Sequence, residues 1–462
     1  MTFKIANLLE EHSNDKFDLH EQFLNNQMVR VLKTIGYDRH YKKAIGQYLY
    51  DQEGTEYLDL LSGFGVFAIG RNHPTVIEAL KEALTLELPN LVQLDVSILS
   101  GLLAKEILKT TPDNLTKMFF CNSGTEAVEA AIKFARFTTK RDKIVFCEHG
   151  YHGLTMGALS LNGENIFKEG FGSLLPSCEA IPFNDLVALE KALSGKDVAA
   201  FIVEPIQGKG VNMPDDNYLP EVERLCKQYG TLFVADEVQT GLGRTGKFWA
   251  VNHWNVQPDM ICMAKALSGG FVPVGGVAIT DRIMDTVYNR MDRAVVHGST
   301  FAKNNMAMAA GLATLHVIEN EKLVENSFTR GSAIIHNLNA MSENYEFLKE
   351  ARGKGMMIAI EFQQPKSLTL KAAWAMLEAA NKGLFCQMIT IPLFKEHHIL
   401  TQVAGHGMNV VKLLPPLNLN QKDCDNIVDA FDKTIADTHK IGGSIWDLGK
   451  NLAGHALKNR KG

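Results

Sequence analysis

At 462 residues, 46% hydrophobic and 21% charged, the chain has length enough to bury a sizeable core and to divide into two or three domains. A formal net charge of −5, with no Walker loop, zinc-finger spacing or RNA-binding signature, excludes a nucleic-acid-binding role. The seven cysteines stand singly, the N-terminus lacks a basic-then-apolar leader, and no apolar run is long enough to span a bilayer, so a reducing, cytoplasmic setting is expected.

Residues 17–35 ("FDLHEQFLNNQMVRVLKTI") have helical spacing. "GQYLYDQEGTEYLDLLSG" then reads as two alternating strands around Gly54, a hairpin. From about Pro74 to Ile318 short apolar runs ("KMFFC", "KIVFC", "AAFIVEP", "TLFVADE", "MICMA", "GGVAIT") alternate with helical stretches, which predicts an α/β domain on a largely parallel sheet. Beyond about Glu319, "GMMIAIEF" and "NVVKLLPP" among helices predict a smaller α+β domain, which the N-terminal hairpin joins. The expected divisions are 1–73, 74–318, 319–438 and a tail, 439–462.

In open α/β sheets ligands sit at the carboxyl ends of the strands, so the residues just after each run carry the reading. "KMFFC" is followed by "NSGTEAVEAAIKFAR", where Gly124 and Thr125 open a helix whose free N–H groups and dipole favour an anion. Taken alone, Ser123 and Glu126 would be only a capping box. "KIVFC" leads to Tyr151 and His152, which could stack on a planar ligand or belong to the core. "AAFIV" leads to Glu204, and "TLFVA" to Asp236, a carboxylate after an apolar run that needs a partner or a task. "MICMA" ends on Lys265, either a solvated cap or an amine placed for covalent chemistry. Together these strand ends offer an anion cradle, an aromatic face, a carboxylate and an amine, the set that holds pyridoxal phosphate.

The motifs "NSGTEAVEAAIKFAR", "DEVQTGLGRTGKFWA", "PDMICMAKALSGG" and "HGSTFAKNNMAMAAGLATL", in this order, resemble the class III (subgroup II) pyridoxal-phosphate aminotransferases, the group of acetylornithine, ornithine and 4-aminobutyrate aminotransferases. The resemblance runs from about Gly46 to Leu417. It implies fold type I: a large domain on a mostly parallel seven-stranded sheet, plus a smaller α+β domain. It implies Lys265 as Schiff-base lysine and proton shuttle, Asp236 against the pyridinium nitrogen, and Val238 and Tyr151 on the two ring faces. Gln239 would lie near the ring hydroxyl, Gly124 and Thr125 on the phosphate, and Glu204 behind Asp236. Thr300 would reach the phosphate of a neighbouring subunit, so a homodimer with shared active sites is expected. The reaction implied moves an amino group from an amine donor to a carbonyl acceptor.

Three positions depart from the family pattern. Leu154 stands where many members have an arginine ("HGRT"), Lys209 where they have a glutamate ("EPIQGEGG"), and Lys412 where they have a late arginine ("VLRLLPPL"). With Phe64 and Phe67 in "SGFGVFAIG", these changes favour a hydrophobic or bulky substrate, with Lys412 left to hold a donor carboxylate. An ordinary ω-amino acid, diamine or acetylornithine substrate is the alternative. Another reaction on the same cofactor, such as an aminomutase, and a non-catalytic cofactor-binding protein are further ones.

In the tail, Ile441, Ile445, Leu448, Leu452 and Ala456 recur at helical spacing beside Trp446, with Lys450, Lys458, Arg460 and Lys461 adding charge. This fits a terminal helix docked on its own domain, or an interfacial helix making peripheral membrane contact.

Overall fold

The computed structural model describes residues 3–92, 94–440 and 442–459. Fifteen strands occur among them. In chain order they are β1 (Tyr41–Ile45), β2 (Tyr48–Asp51), β3 (Glu56–Asp59), β4 (Lys117–Cys121), β5 (Lys143–Cys147), β6 (Cys178–Ile181), β7 (Val198–Val203), β8 (Leu232–Asp236), β9 (Met260–Met263), β10 (Gly275–Ile279), β11 (Leu348–Lys354), β12 (Met357–Phe362), β13 (Ile399–Leu400), β14 (Gln402–Val403) and β15 (Val410–Leu413).

The central sheet has seven strands in the order β4-β10-β9-β8-β7-β5-β6. β10 runs antiparallel to both its neighbours, and the other adjacent pairs are parallel. Every residue of β7, β8 and β9 is buried. This explains their unbroken apolar runs, because a parallel sheet covered on both faces has no solvent side. The helix Gly124–Thr139 covers one face, packing on β7, β8, β9 and β10. β6 is the strand that apolar runs did not reveal. It is a four-residue edge strand whose Glu179 faces out to pair with Lys143 at 2.5 Å, and an edge tolerates such charge.

Two four-stranded sheets flank this core, in the orders β1-β2-β3-β13 and β11-β12-β15-β14. The N-terminal hairpin meets the C-terminal part of the chain through the parallel pair β3–β13, with Ile399 opposite Leu58. The helical spacing over 17–35 resolves into two helices, Lys16–Phe23 and Asn26–Ile35. Asn25 divides them, because its side chain accepts the N–H groups of Gln27 and Met28 and caps a new helix.

The tail forms the helix Ser444–Asn459, packed against helices Leu368–Ala380 and Leu384–Lys395. Ile445, Trp446, Leu452 and Ala453 are buried there, Leu448 and Ala456 pack on the same core, and Trp446 Nε1 donates to Thr438 O at 2.9 Å. The apolar stripe therefore faces protein, in line with the reading of a terminal helix docked on its own domain. Ile441, Arg460 and Lys461, and the side chain of Lys458, lie outside the described residues. Among the described residues no helix is long and apolar enough to cross a membrane.

Candidate active site

The carboxyl ends of β4, β5, β8 and β9 converge on one cavity of about 510 Å³. After β4 the chain turns into a helix at Gly124. Ser123 Oγ accepts the N–H of Glu126, and Glu126 Oε2 accepts the N–H of Asn122 at 2.6 Å, a reciprocal cap. The N–H groups of Gly124 and Thr125 lie in the first turn, where no intrahelical partner exists. A Cβ on Gly124 would come within 2.8 Å of Val238 Cγ1, so this wall of the cavity closes only with glycine there. Thr125 Oγ1 lies 2.6 Å from Thr155 Oγ1, which closes the outer edge of the cradle.

After β5, Tyr151 lines the cavity and packs edge-on against Phe167. His152 also lines it, but its ring is buried and its Nδ1 lies 2.7 Å from Asp236 Oδ2. Burial would lower its pKa, yet the Asp236 carboxylate and the nearby Glu204 charge outweigh that and raise it. Asp236 Oδ1 accepts the N–H of Val238 at 3.0 Å. The carboxylate at the end of β8 is thus fixed from two sides.

Lys265 follows β9 by two residues in a left-handed conformation (φ 42°), opening a short 3₁₀ turn that ends at Gly269. It lines the cavity. Burial lowers its pKa, partly offset by Asp236 and Glu204. Glu204 stands behind this layer, accepting the N–H groups of Tyr151 at 3.2 Å and Gly208 at 3.0 Å. Burial raises its pKa. Gln239 Nε2 donates to Phe64 O at 3.3 Å, while its Oε1 is buried without a partner.

Gly124, Thr125, Tyr151, His152, Leu154, Asp236, Val238 and Lys265 thus share one cavity. The other residues singled out from sequence stand outside its lining. Residues Ser62 to Gly65 all have positive φ, a left-handed turn that brings Val66 to the cavity and leaves Phe64 half-exposed beside it. Phe67 lies behind the wall, stacked on Arg71 at 3.9 Å and against Gly270. Thr300 is exposed, one residue beyond Ser299, whose Oγ accepts from Asn122 Nδ2 at 2.6 Å. Lys209 pairs with Glu164 at 2.6 Å over the ring of Phe167. Lys412 is buried and donates to Gly208 O at 2.8 Å. Its pKa is lowered to about 8, first by burial and then by the charge of Lys265. Glu164 and Phe167, which flank this region, had no signal in the sequence, since their 3₁₀ turn follows no strand.

These residues fit pyridoxal phosphate. The glycine-opened helix start suits a phosphate, the doubly held Asp236 suits a ring nitrogen, and the orphaned Gln239 Oε1 is an acceptor awaiting a hydroxyl-bearing ligand. Lys265 supplies the amine.

Comparison with known proteins agrees. The sequence model of the aminotransferase class-III family matches residues 34–435. Aminotransferase PigE of Serratia sp. (strain ATCC 39006) is 34% identical over 455 residues, 92% of this chain and 53% of that protein. The chain therefore spans about half the length of this curated relative. The ornithine aminotransferase of Toxoplasma gondii, with partial occupancy of PLP at its active site, aligns with a TM-score of 0.82 at 27% identity, over 95% of this chain and 99% of that one. An amine transaminase from an uncultivated Pseudomonas species in PLP-bound form aligns with a TM-score of 0.75 at 28% identity, over 86% of this chain and 94% of that one. The chain belongs to the class III aminotransferase family, and its cofactor is pyridoxal phosphate.

Proposed function

We propose that the chain is a transaminase that moves an amino group from a carboxylate-bearing donor to a hydrophobic aldehyde or ketone. When bound, pyridoxal phosphate supplies an aldehyde that accepts the amine and a ring that takes up the electron pair left on the substrate carbon. In this reading Lys265 Nζ takes the proton from the amine-bearing carbon and returns it; its lowered pKa favours the free base such a transfer needs. Asp236 holds a proton at the ring nitrogen, and His152 keeps the carboxylate oriented. Gly124 and Thr125 bind the phosphate, and Val238 and Tyr151 flank the ring.

The observation that carries the substrate class is the wall beyond Lys265: Val66, Leu154, Phe271, Val272, Pro273 and Val274. Apolar surface of this extent gains about 25 cal/mol per Å² buried by an alkyl chain. Leu154 offers no anchor for a carboxylate. Lys412, buried behind the cavity lining with Gly208 O as its hydrogen-bond partner, supplies a position where a donor carboxylate would be welcomed.

We further read the working unit as a homodimer. Leu94, Val96 and Ile98 stand exposed on one segment and Met291, Val295 and Phe301 on another. Asn305 N donates to Asn90 Oδ1 at 3.0 Å, which ties together the stretches that adjoin the two segments. Exposed apolar surface of this kind marks an interface, and a second copy there would bring Thr300 towards a neighbouring site. Seven free thiols suit a reducing cytoplasm.

The test is a half-reaction absorbance screen of the loaded protein against glutamate, alanine, 4-aminobutyrate, putrescine, acetylornithine and long-chain amines. Long-chain amines should discharge the cofactor faster than acetylornithine or 4-aminobutyrate. The reverse order would overturn the hydrophobic reading.

A further inference from the structure

Thr155 occupies the N-cap position of the helix Met156–Ser160, yet its hydroxyl caps nothing there. A threonine at that position ordinarily accepts the N–H of the second or third helical residue. Here those two N–H groups, of Gly157 and Ala158, go instead to Glu129 Oε1 at 2.8 and 3.1 Å. Glu129 reaches across from the helix Gly124–Thr139, one turn beyond Thr125 and on the same face. Its carboxyl is packed so closely that a Cβ on Gly157 would overlap Oε2. The Thr155 hydroxyl donates to the same Oε1 at 2.6 Å. These bonds fix where the hydroxyl protons lie. A carboxylate only accepts, so the single hydroxyl proton of Thr155 is spent on Glu129. Thr125 Oγ1 stands 2.6 Å from Thr155 Oγ1, and the proton in that contact is therefore the one on Thr125. The Thr155 N–H donates back to Thr125 Oγ1 at 3.2 Å. Thr125 thus lines the cavity with its hydroxyl proton turned outward and a lone pair turned inward.

We propose that Thr155, oriented by Glu129, is a positioning residue that withholds the Thr125 proton from the cofactor phosphate and so sets how tightly the phosphate is held. This rests on the reading of Gly124 and Thr125 as the phosphate seat. A phosphate dianion only accepts hydrogen bonds, and in Thr125 it meets another acceptor until that hydroxyl turns. Turning breaks the Thr125–Thr155 bond, and Thr155 cannot offer its own proton in exchange while Glu129 holds it. The backbone N–H groups of the helix start supply the standing attraction for the anion. Thr155 governs what the Thr125 side chain adds to it. The consequence falls most on the aminated form of the cofactor, which has no covalent bond to Lys265 and is retained by such contacts alone.

The experiment is calorimetric titration of the full chain, stripped of cofactor, with pyridoxamine phosphate and with pyridoxamine, which lacks the phosphate. The proteins are wild type, Thr155→Val, Thr155→Ser, Thr125→Val and the double variant Thr125→Val/Thr155→Val. Valine keeps the branched shape and removes the hydroxyl, and position 155 is exposed, so the fold tolerates the change. Thr155→Val should tighten pyridoxamine phosphate about two- to tenfold, the worth of one hydrogen bond, with pyridoxamine unchanged. Thr155→Ser, which restores the hydroxyl, should match wild type. On the Thr125→Val background the gain should vanish. An affinity for pyridoxamine phosphate that is unchanged or weaker in Thr155→Val, with the melting temperature intact, would overturn the proposal. So would a gain shared by pyridoxamine, or one that persists without the Thr125 hydroxyl. Should Thr155→Val melt early, Thr155→Ala also lacks the hydroxyl and must show the same gain; its absence there overturns the proposal equally. Thr125→Val separates the two readings. If it weakens pyridoxamine phosphate while Thr155→Val changes nothing, the phosphate seat stands and the proposal alone fails. If it leaves pyridoxamine phosphate unchanged, the seat lies elsewhere and the proposal falls with it.

Discussion

His152 Nδ1 lies 2.7 Å from Asp236 Oδ2, with both side chains buried. A carboxylate can only accept, so the imidazole donates, and the bond is charge-assisted. Gly150 makes room for it, since a Cβ there would sit 3.2 Å from His152 Nε2 and 2.9 Å from Cys147 O. His152→Ala should leave Asp236 held only by the Val238 N–H and loosen the cofactor. A hydrogen bond to a charged group is worth about 1.5–3 kcal/mol, so the cofactor dissociation constant should rise roughly ten- to a hundredfold. Equilibrium titration with pyridoxal phosphate reads this directly. An unchanged constant would mean the pair does nothing for the cofactor.

Lys265 opens on the same cavity as Asp236, and its pKa is already lowered by burial. Lys265→Ala should abolish borohydride-stable attachment of the cofactor while still binding it non-covalently through the helix start. Loss of the proton shuttle should cost roughly 10²–10⁴ in rate. Mass spectrometry after reduction checks the attachment. A cofactor still fixed to the chain in the variant would place the covalent amine elsewhere.

Much of this architecture was legible in the chain because the physics is local. β7, β8 and β9 announce themselves as apolar runs, and strand-end positions bring Asp236 and Lys265 into one cavity without further information. Features set by non-local partners were not legible. β6 needs its neighbour β5 to be a strand at all. The break at Asn25 turned on a two-residue cap inside a continuous helical pattern. Lys209 and Lys412 look alike in sequence, and only the fold gives one Glu164 and the other a backbone carbonyl. Thr300, which is exposed, and Phe64, half-exposed, stand outside the cavity lining, and their matches in the sequence do not tell this.

The tail offers a stability test. Trp446 is nearly fully buried and bonded to Thr438 O. Trp446→Ala should cost about 3–5 kcal/mol, the range for removing a large core side chain. Urea unfolding measures it. Because the stripe faces protein, the folded wild type should sediment with anionic liposomes no more than background. Strong sedimentation of the wild type would restore the interfacial reading.

The exposed segments around residues 94–98 and 291–301 give a test of assembly. Val96→Asp with Phe301→Asp places charge on both segments and should convert a dimer to monomers in sedimentation velocity runs. If Thr300 serves a neighbouring site, activity should fall with the dimer fraction and not with folded protein. Full activity in a verified monomer would show that one chain completes its own site.

Lys412 gives the pH dependence its sign. Its pKa is lowered to about 8 from the ordinary lysine value, first by burial. Between about pH 8 and that ordinary value the unfolded chain binds more protons at this residue than the folded one does, so its contribution to stability improves as pH rises through that window. Below about pH 8 the folded protein carries the full cost of a buried ammonium, about 3 kcal/mol by the size of the displacement. Against Lys412→Met, the wild type should gain roughly that amount between pH 7 and pH 10.5, measured by urea unfolding at each pH. A difference that stays flat would mean that Lys412 is not destabilised by burial. Donor binding should move the other way. A carboxylate needs the ammonium, so the KM for a carboxylate donor should climb about tenfold per unit above pH 8, while that for a long-chain amine without a carboxylate should not share this rise. Lys412→Arg, which stays charged throughout this range, should abolish the climb. A rise common to both donor classes would trace it to Lys265 and remove Lys412 from donor binding.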